Sequence, residues 1–149
     1  MNKSEHINII TIFDLNLWDH WMNSKYKKLE LGWPGNDLAE IIEQPNEVIK
    51  WLRPASKQFN IWYNNNSDRY VPDFVAETAD IIYLIEIKAD NALEDKIVEK
   101  KTEAAVKYCI TASEINLQRN EKAWKYVLIP YDKTDANMTF GWLVTEFGR

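Results

Sequence analysis

Apolar positions follow two different periods along this chain. From Ile81 to Lys88 they run almost unbroken, IIYLIEIK, bounded by Thr78-Ala79-Asp80 before and Asp90-Asn91 after, which predicts a strand. Successive strand side chains alternate faces, so Ile81, Tyr83, Ile85 and Ile87 point one way. Ile82, Leu84, Glu86 and Lys88 point the other, and Glu86 and Lys88 sit one pleat apart. Lys125 to Tyr131, KYVLIPY, predicts another strand, apolar enough to be buried on both faces. Between these two strands the period becomes helical. Over Asp95–Ala112, Ile97, Val98, Ala104, Ala105, Tyr108, Cys109 and Ala112 fall on one side of a wheel. Lys101 lies in the middle of that stripe, where it either snorkels along its stem or points at the sheet end carrying Glu86. Lys96, Lys100 and Lys107 gather beside Glu103 on the opposite, solvated side.

The remaining elements are shorter. Ile7–Phe13 reads as a strand and Leu15–Leu31 as helical, ended by Gly32-Trp33-Pro34-Gly35. Asn36 is placed to cap a helix carrying Leu38, Ile41 and Ile42. After Pro45 the helical spacing resumes from Asn46 through Val48, Ile49, Trp51 and Leu52, up to Pro54. Gln58–Tyr63 and Tyr70–Ala76 predict the strands of a hairpin around the turn Asn64–Asp68, with Pro72 placing the second strand at an edge or breaking it near Asp73. Ser113–Asn120 reads as a turn or short helix, and Thr139–Phe147 as an alternating strand. A helix linking two strands suggests a crossover that sets them parallel. The expected architecture is therefore α/β, a central mixed sheet of about five strands flanked by helices.

At 149 residues the chain fits one domain, and 46% apolar with 28% charged residues is the balance of a folded domain rather than a disordered one. Its parts read as an N-terminal extension over 1–34, a core over 36–130 and a C-terminal strand over 131–149. Cys109 is the only cysteine, so no intrachain disulfide forms and a reducing compartment suits the chain. No apolar run is long enough to span a membrane, and the N-terminus has no small-residue cleavage site; the expectation is a cytoplasmic protein with no membrane partner. The net charge of −5 gives no overall electrostatic footprint for nucleic acid, so DNA contact requires a local basic patch. Lys50, Arg53, Lys57 and Arg69 flank the central strands and are candidates for one. His6 and His20, with no third ligand, do not make a zinc site. The Trp18, Trp21 and Trp33 cluster reads as core packing or a docking surface.

Asp73, Glu86 and Lys88 are the candidate chemistry. Phosphodiester hydrolysis needs a hard cation held by oxygen ligands, and two carboxylates from neighbouring strands with a nearby amine supply such a site. The ion would sit between Asp73 and Glu86, with the main-chain carbonyl of Ile87 as a further ligand. Lys88 would orient or help deprotonate the attacking water. The competing reading is a cross-strand ion pair at a wet sheet edge.

A set of segments, in order, resembles the PD-(D/E)xK nuclease superfamily and, within it, the C-terminal endonuclease domain of the restriction subunit of type III restriction enzymes. They are EVIKWLRP (Glu47–Pro54), QFNIWY to YVPDFV (Gln58–Val75), IYLIEIKAD (Ile82–Asp90), the Lys-x-x-Ala-Ala-x-x-Tyr-Cys pattern of Lys101–Cys109 and WKYVLIP (Trp124–Pro130). The resemblance implies a restriction-endonuclease-like fold and a Mg²⁺-dependent DNA endonuclease, with Mn²⁺ as a substitute ion. It places the metal-binding carboxylates on Asp73 and Glu86, the catalytic lysine on Lys88 and a helix lysine on Lys101. It also implies a helicase or translocase portion and a modification subunit supplied elsewhere, because the chain holds no G-x-x-x-x-G-K-[ST] phosphate loop. Such domains carry a further acid on the first core helix. Here that position falls near Gly35, with Asp37, Glu40 or Glu43 as substitutes. The alternative function is a non-catalytic module with a degenerate nuclease fold that docks DNA or a partner.

Overall fold

The computed structural model describes residues 36–44, 46–54, 59–88, 96–134 and 137–149. The strand and helix expected within 1–34 lie outside these residues. The first described element is helix α1, Asn36–Glu43. It ends where Asn46 folds back: its side-chain amide donates to the Ile41 carbonyl at 2.8 Å while its Oδ1 accepts from the Val48 N–H at 2.8 Å. Those bonds turn the chain out of the helix and into strand β1, Lys50–Leu52. This corrects the expected second helix over Asn46–Pro54. Val48, Trp51 and Leu52 match a helical spacing, yet Trp51 and Leu52 are buried on opposite faces of a sheet.

Strands β2, Ile61–Tyr63, and β3, Asp68–Tyr70, pair antiparallel as a separate hairpin. The expected continuous strand Tyr70–Ala76 is cut at Val71-Pro72-Asp73, and only β4, Phe74–Glu77, enters the main sheet. Pro72 is the reason, since it has no N–H for a ladder. Strand β5 is Ile81–Lys88, helix α2 is Lys96–Gln118 and strand β6 is Ala123–Pro130. The main sheet has four strands, not five, in the order β1-β4-β5-β6. β1 and β5 run antiparallel to β4, and β6 runs parallel to β5 as the α2 crossover requires.

Helix α2 runs past Ala112 because its far end finds partners. Ser113 Oγ accepts from the Trp124 N–H at 2.8 Å, and the Asn116 amide donates to the Lys122 carbonyl at 2.7 Å. Asn120, at φ 57°, ends it in the left-handed conformation that asparagine tolerates. After a 3₁₀ turn at Tyr131–Lys133, Phe140–Phe147 forms helix α3. The strand expected there is overturned: Thr139 caps the helix, its hydroxyl accepting from the Trp142 N–H at 3.1 Å. Phe140, Leu143, Val144 and Phe147 then meet the core at i, i+3, i+4 and i+7, a helical period that TFGWLVTEF also satisfies.

Each sheet face has its own core. On one, Leu52, Val75, Ile82, Leu84, Tyr126 and Leu128 meet α2 and the hairpin; on the other, Trp51, Phe74, Ile85, Val127 and Ile129 meet α1 and α3. The alternation expected along β5 holds, so Glu86 and Lys88 belong to the face covered by α2. Among the described residues no helix is long and apolar enough to cross a membrane.

Candidate active site

The site begins with the missing ladder bond. In the β4–β5 register Phe74 faces Ile85, and beyond the strands' other end the Thr78 N–H donates to the Ile81 carbonyl at 2.8 Å. Continuing this register by two residues sets Pro72 opposite Ile87, at a position where N–H and C=O of β5 both face β4. Pro72 cannot donate to the Ile87 carbonyl. The Ile87 N–H is taken by the next residue instead, donating to Asp73 Oδ2 at 2.8 Å. The bond fixes Asp73 beside the last turn of β5, against Glu86.

Glu86 is 5% exposed, and Lys88, further out, has its Nζ 3.2 Å from Glu86 Oε1. The Asp73 and Glu86 carboxyls are within hydrogen-bonding reach of each other. Two carboxylates cannot share a hydrogen bond without a proton, or approach so closely without a cation. The charge state shows the conflict. Burial first, and then the Asp73 charge, push the Glu86 carboxyl up to about 8 against the pull of Lys88. Burial also raises the Asp73 carboxyl, opposed by the Ile87 N–H, Lys88 and Arg53. Glu86 Oε2 is buried with no hydrogen-bond donor among the described residues. A divalent cation would relieve all three features at once, and the donor set of two carboxylates beside a carbonyl deprived of its strand partner suits a hard ion.

The structure therefore brings Asp73, Glu86, Ile87 and Lys88 together. Lys101 stands apart: its Nζ lies 5.6 Å from the Tyr63 ring centre and 5.4 Å from that of Tyr70, held by cation–π contact. The Tyr70 hydroxyl donates to the Lys101 carbonyl at 3.2 Å and also bonds Tyr126, so Lys101 is anchored to the same face as Glu86. Burial raises both phenols well above their ordinary value, with the Glu86 charge adding to it. They are neutral hydroxyls on the face that carries Glu86. Sequence reasoning missed Tyr70 and Tyr126. Period-two counting along KYVLIPY finds the second, since Tyr126 sits opposite Leu84 and so shares the Glu86 face.

None of the substitutes on α1 joins the pair. Asp37 and Glu40 are exposed, and Glu43 Oε1 accepts from Trp51 Nε1 at 2.6 Å. Among the described residues no three acidic, His or Cys side chains cluster as a metal cage.

Residues 36–128, more than half of the chain, match the family model described as TnsA-like endonuclease N terminal. The match supports the restriction-endonuclease-like fold and the PD-(D/E)xK superfamily, and not the type III branch in particular. No curated protein and no solved structure matches the chain.

Proposed function

We propose, for a chain that belongs to the TnsA-like endonuclease N-terminal family, that Asp73, Glu86 and Lys88 form the centre of a Mg²⁺-dependent DNA endonuclease. The observation that carries this is that the half-buried Asp73 carboxyl, fixed by the Ile87 N–H at 2.8 Å, faces the buried Glu86 carboxyl, one oxygen of which has no donor among the described residues. Lys88 serves both carboxyls, and Arg53 adds its charge on the Asp73 side. Asp73, Glu86 and the Ile87 carbonyl would hold the ion, which when bound supplies Lewis acidity toward a phosphodiester and a more acidic water. Lys88 lies outermost, where its ammonium meets the phosphate and orients the water. In the reaction a water loses a proton, its oxygen forms a new P–O bond, and the bond to the leaving sugar oxygen breaks as that oxygen gains a proton. Lys101 acts from behind the tyrosine rings, adding positive charge on the Glu86 face without touching the carboxyls.

The ordered segment resemblance supports a type III-like restriction setting, with a helicase or translocase portion and a modification subunit supplied elsewhere. The observation favouring the non-catalytic alternative is that no α1 acid joins Asp73 and Glu86. Plasmid nicking with Mg²⁺ or Mn²⁺ separates the readings. Wild type should nick, and Asp73→Ala and Glu86→Ala should not; equal rates in all three rule out the enzyme.

A further inference from the structure

A groove of about 700 Å³ runs between the β2–β3 hairpin and α2, lined on the helix side by Lys100, Glu103, Lys107 and Tyr108. The hairpin buries Ile61 and Tyr70 in the core, yet leaves Trp62 50% exposed. Trp62 pairs in register with Arg69, whose guanidinium lies 6.0 Å from the indole centre. The indole is thus steadied from one side and open on the other. At the tip, Asn64, Asn65 and Asn66 are all left-handed, at φ 52°, 57° and 63°. Lys100 Nζ donates to Asn64 Oδ1 at 3.2 Å, so the tip is tied to α2 and the groove keeps its shape.

The charges here differ from those of the whole chain. Lys100 and Lys107 line the groove with Glu103 as its one acid, and the nearby Asp68 is engaged within the turn, accepting from the Asn64 amide at 3.0 Å. A small basic excess thus stands on a molecule of net charge −5. The inner end of the groove reaches Tyr63, whose ring together with that of Tyr70 holds Lys101, and the chain leaves Tyr70 directly for Val71-Pro72-Asp73. The groove and the carboxyl pair are joined through Tyr70 and the three residues that follow it.

Basic side chains along a groove with an open aromatic platform are what unpaired nucleotides require: phosphates meet the ammonium groups, and a base released from its stack lies on the ring. We propose that this groove holds a single-stranded stretch of DNA flanking the scissile phosphodiester, with a base on Trp62 and phosphates against Lys100 and Lys107. This rests on Asp73 and Glu86 being a hydrolytic centre. A duplex keeps its bases stacked, so it would use the lysines and not the indole.

The test is fluorescence anisotropy of the full chain in EDTA, with labelled oligothymidine and a blunt duplex of equal length. Wild type should bind both. Trp62→Ala should weaken oligothymidine about tenfold while leaving the duplex within about twofold, and Trp62→Phe should recover most of the loss. Lys107→Gln should weaken both and lower the salt slope on the single strand by about 0.7. No single-strand binding by wild type, unchanged binding by Trp62→Ala, or equal losses on both DNAs would overturn the proposal. Asp73→Ala separates this result from the one beneath it. It should bind oligothymidine as wild type does and fail to cut; if it cuts normally, the hydrolytic reading falls while the binding data still decide the groove.

Discussion

The main sheet buries a glutamate at each end, and the two could hardly be treated more differently. At one end Glu77, 3% exposed, pairs with Lys122, whose Nζ donates to Glu77 Oε1 at 2.7 Å and to the Thr78 carbonyl at 2.8 Å. At the other, Glu86 pairs with Lys88 at 3.2 Å but also faces Asp73. Both glutamates keep a buried oxygen without a donor among the described residues, so an orphaned oxygen does not by itself mark a site. The second carboxyl is what sets the Glu86 end apart. One ammonium completes the Glu77 end and ties β4 to the segment entering β6, whereas at the Glu86 end two carboxyls share the charges of Lys88 and Arg53. Lys122–Glu77 is a fastening, and Asp73–Glu86 is the pair for which we propose a cation.

The most forceful way to break this contrast is to remove one acid from each end. Glu86→Ala should lower DNA nicking by about 100-fold or more with the fold intact, as losing a group that stabilises transition-state charge does. Glu77→Ala should leave nicking per folded molecule unchanged, measured on samples normalised by circular dichroism. Next in size is the cation side. Lys122→Met strands the buried Glu77 carboxylate and should cost about 3 kcal/mol in urea unfolding. Lys88→Met should cost less, since Glu86 can take a proton.

The pH dependence sharpens the comparison further. Burial, and then the Asp73 charge, push the folded Glu86 carboxyl up to about 8 from its ordinary 4.5. The folded state therefore binds more protons in that interval, and metal-free stability should fall as pH rises through it. Glu86→Gln should flatten this slope, seen in urea titrations in EDTA from pH 5 to 8.5, and Glu77→Gln should not. Saturating Mg²⁺ should restore about 2.7 kcal/mol at a concentration 100-fold above its dissociation constant, and only with Asp73 and Glu86 present. The smallest effect is expected away from both ends. Thr139→Ala removes the cap of α3 and should cost about 1 kcal/mol without altering the rate.

The carboxyl pair was legible in sequence because polar residues interrupt an apolar strand, and because Pro72 announces a break in the ladder just before Asp73. The α2 crossover and the parallel β5–β6 pair followed from the order of elements. The misassigned segments are those in which both periods fit. Val48, Trp51 and Leu52 suit a helix wheel, and only the Asn46 side chain, bonding back to Ile41 and forward to Val48, diverts them into β1. TFGWLVTEF alternates well enough for a strand, and the Thr139 cap decides for a helix. Sequence could not show that Lys101 would sit on the Tyr63 and Tyr70 rings, because both come from a hairpin whose docking on α2 is a tertiary matter.

Calorimetric titration of Mg²⁺ into wild type, Glu86→Ala and Glu77→Ala is the most direct test that the doubled carboxylate holds a cation. Binding should be present in wild type and Glu77→Ala and lost in Glu86→Ala. Retained binding in Glu86→Ala, or its loss in a folded Glu77→Ala, would contradict the assignment.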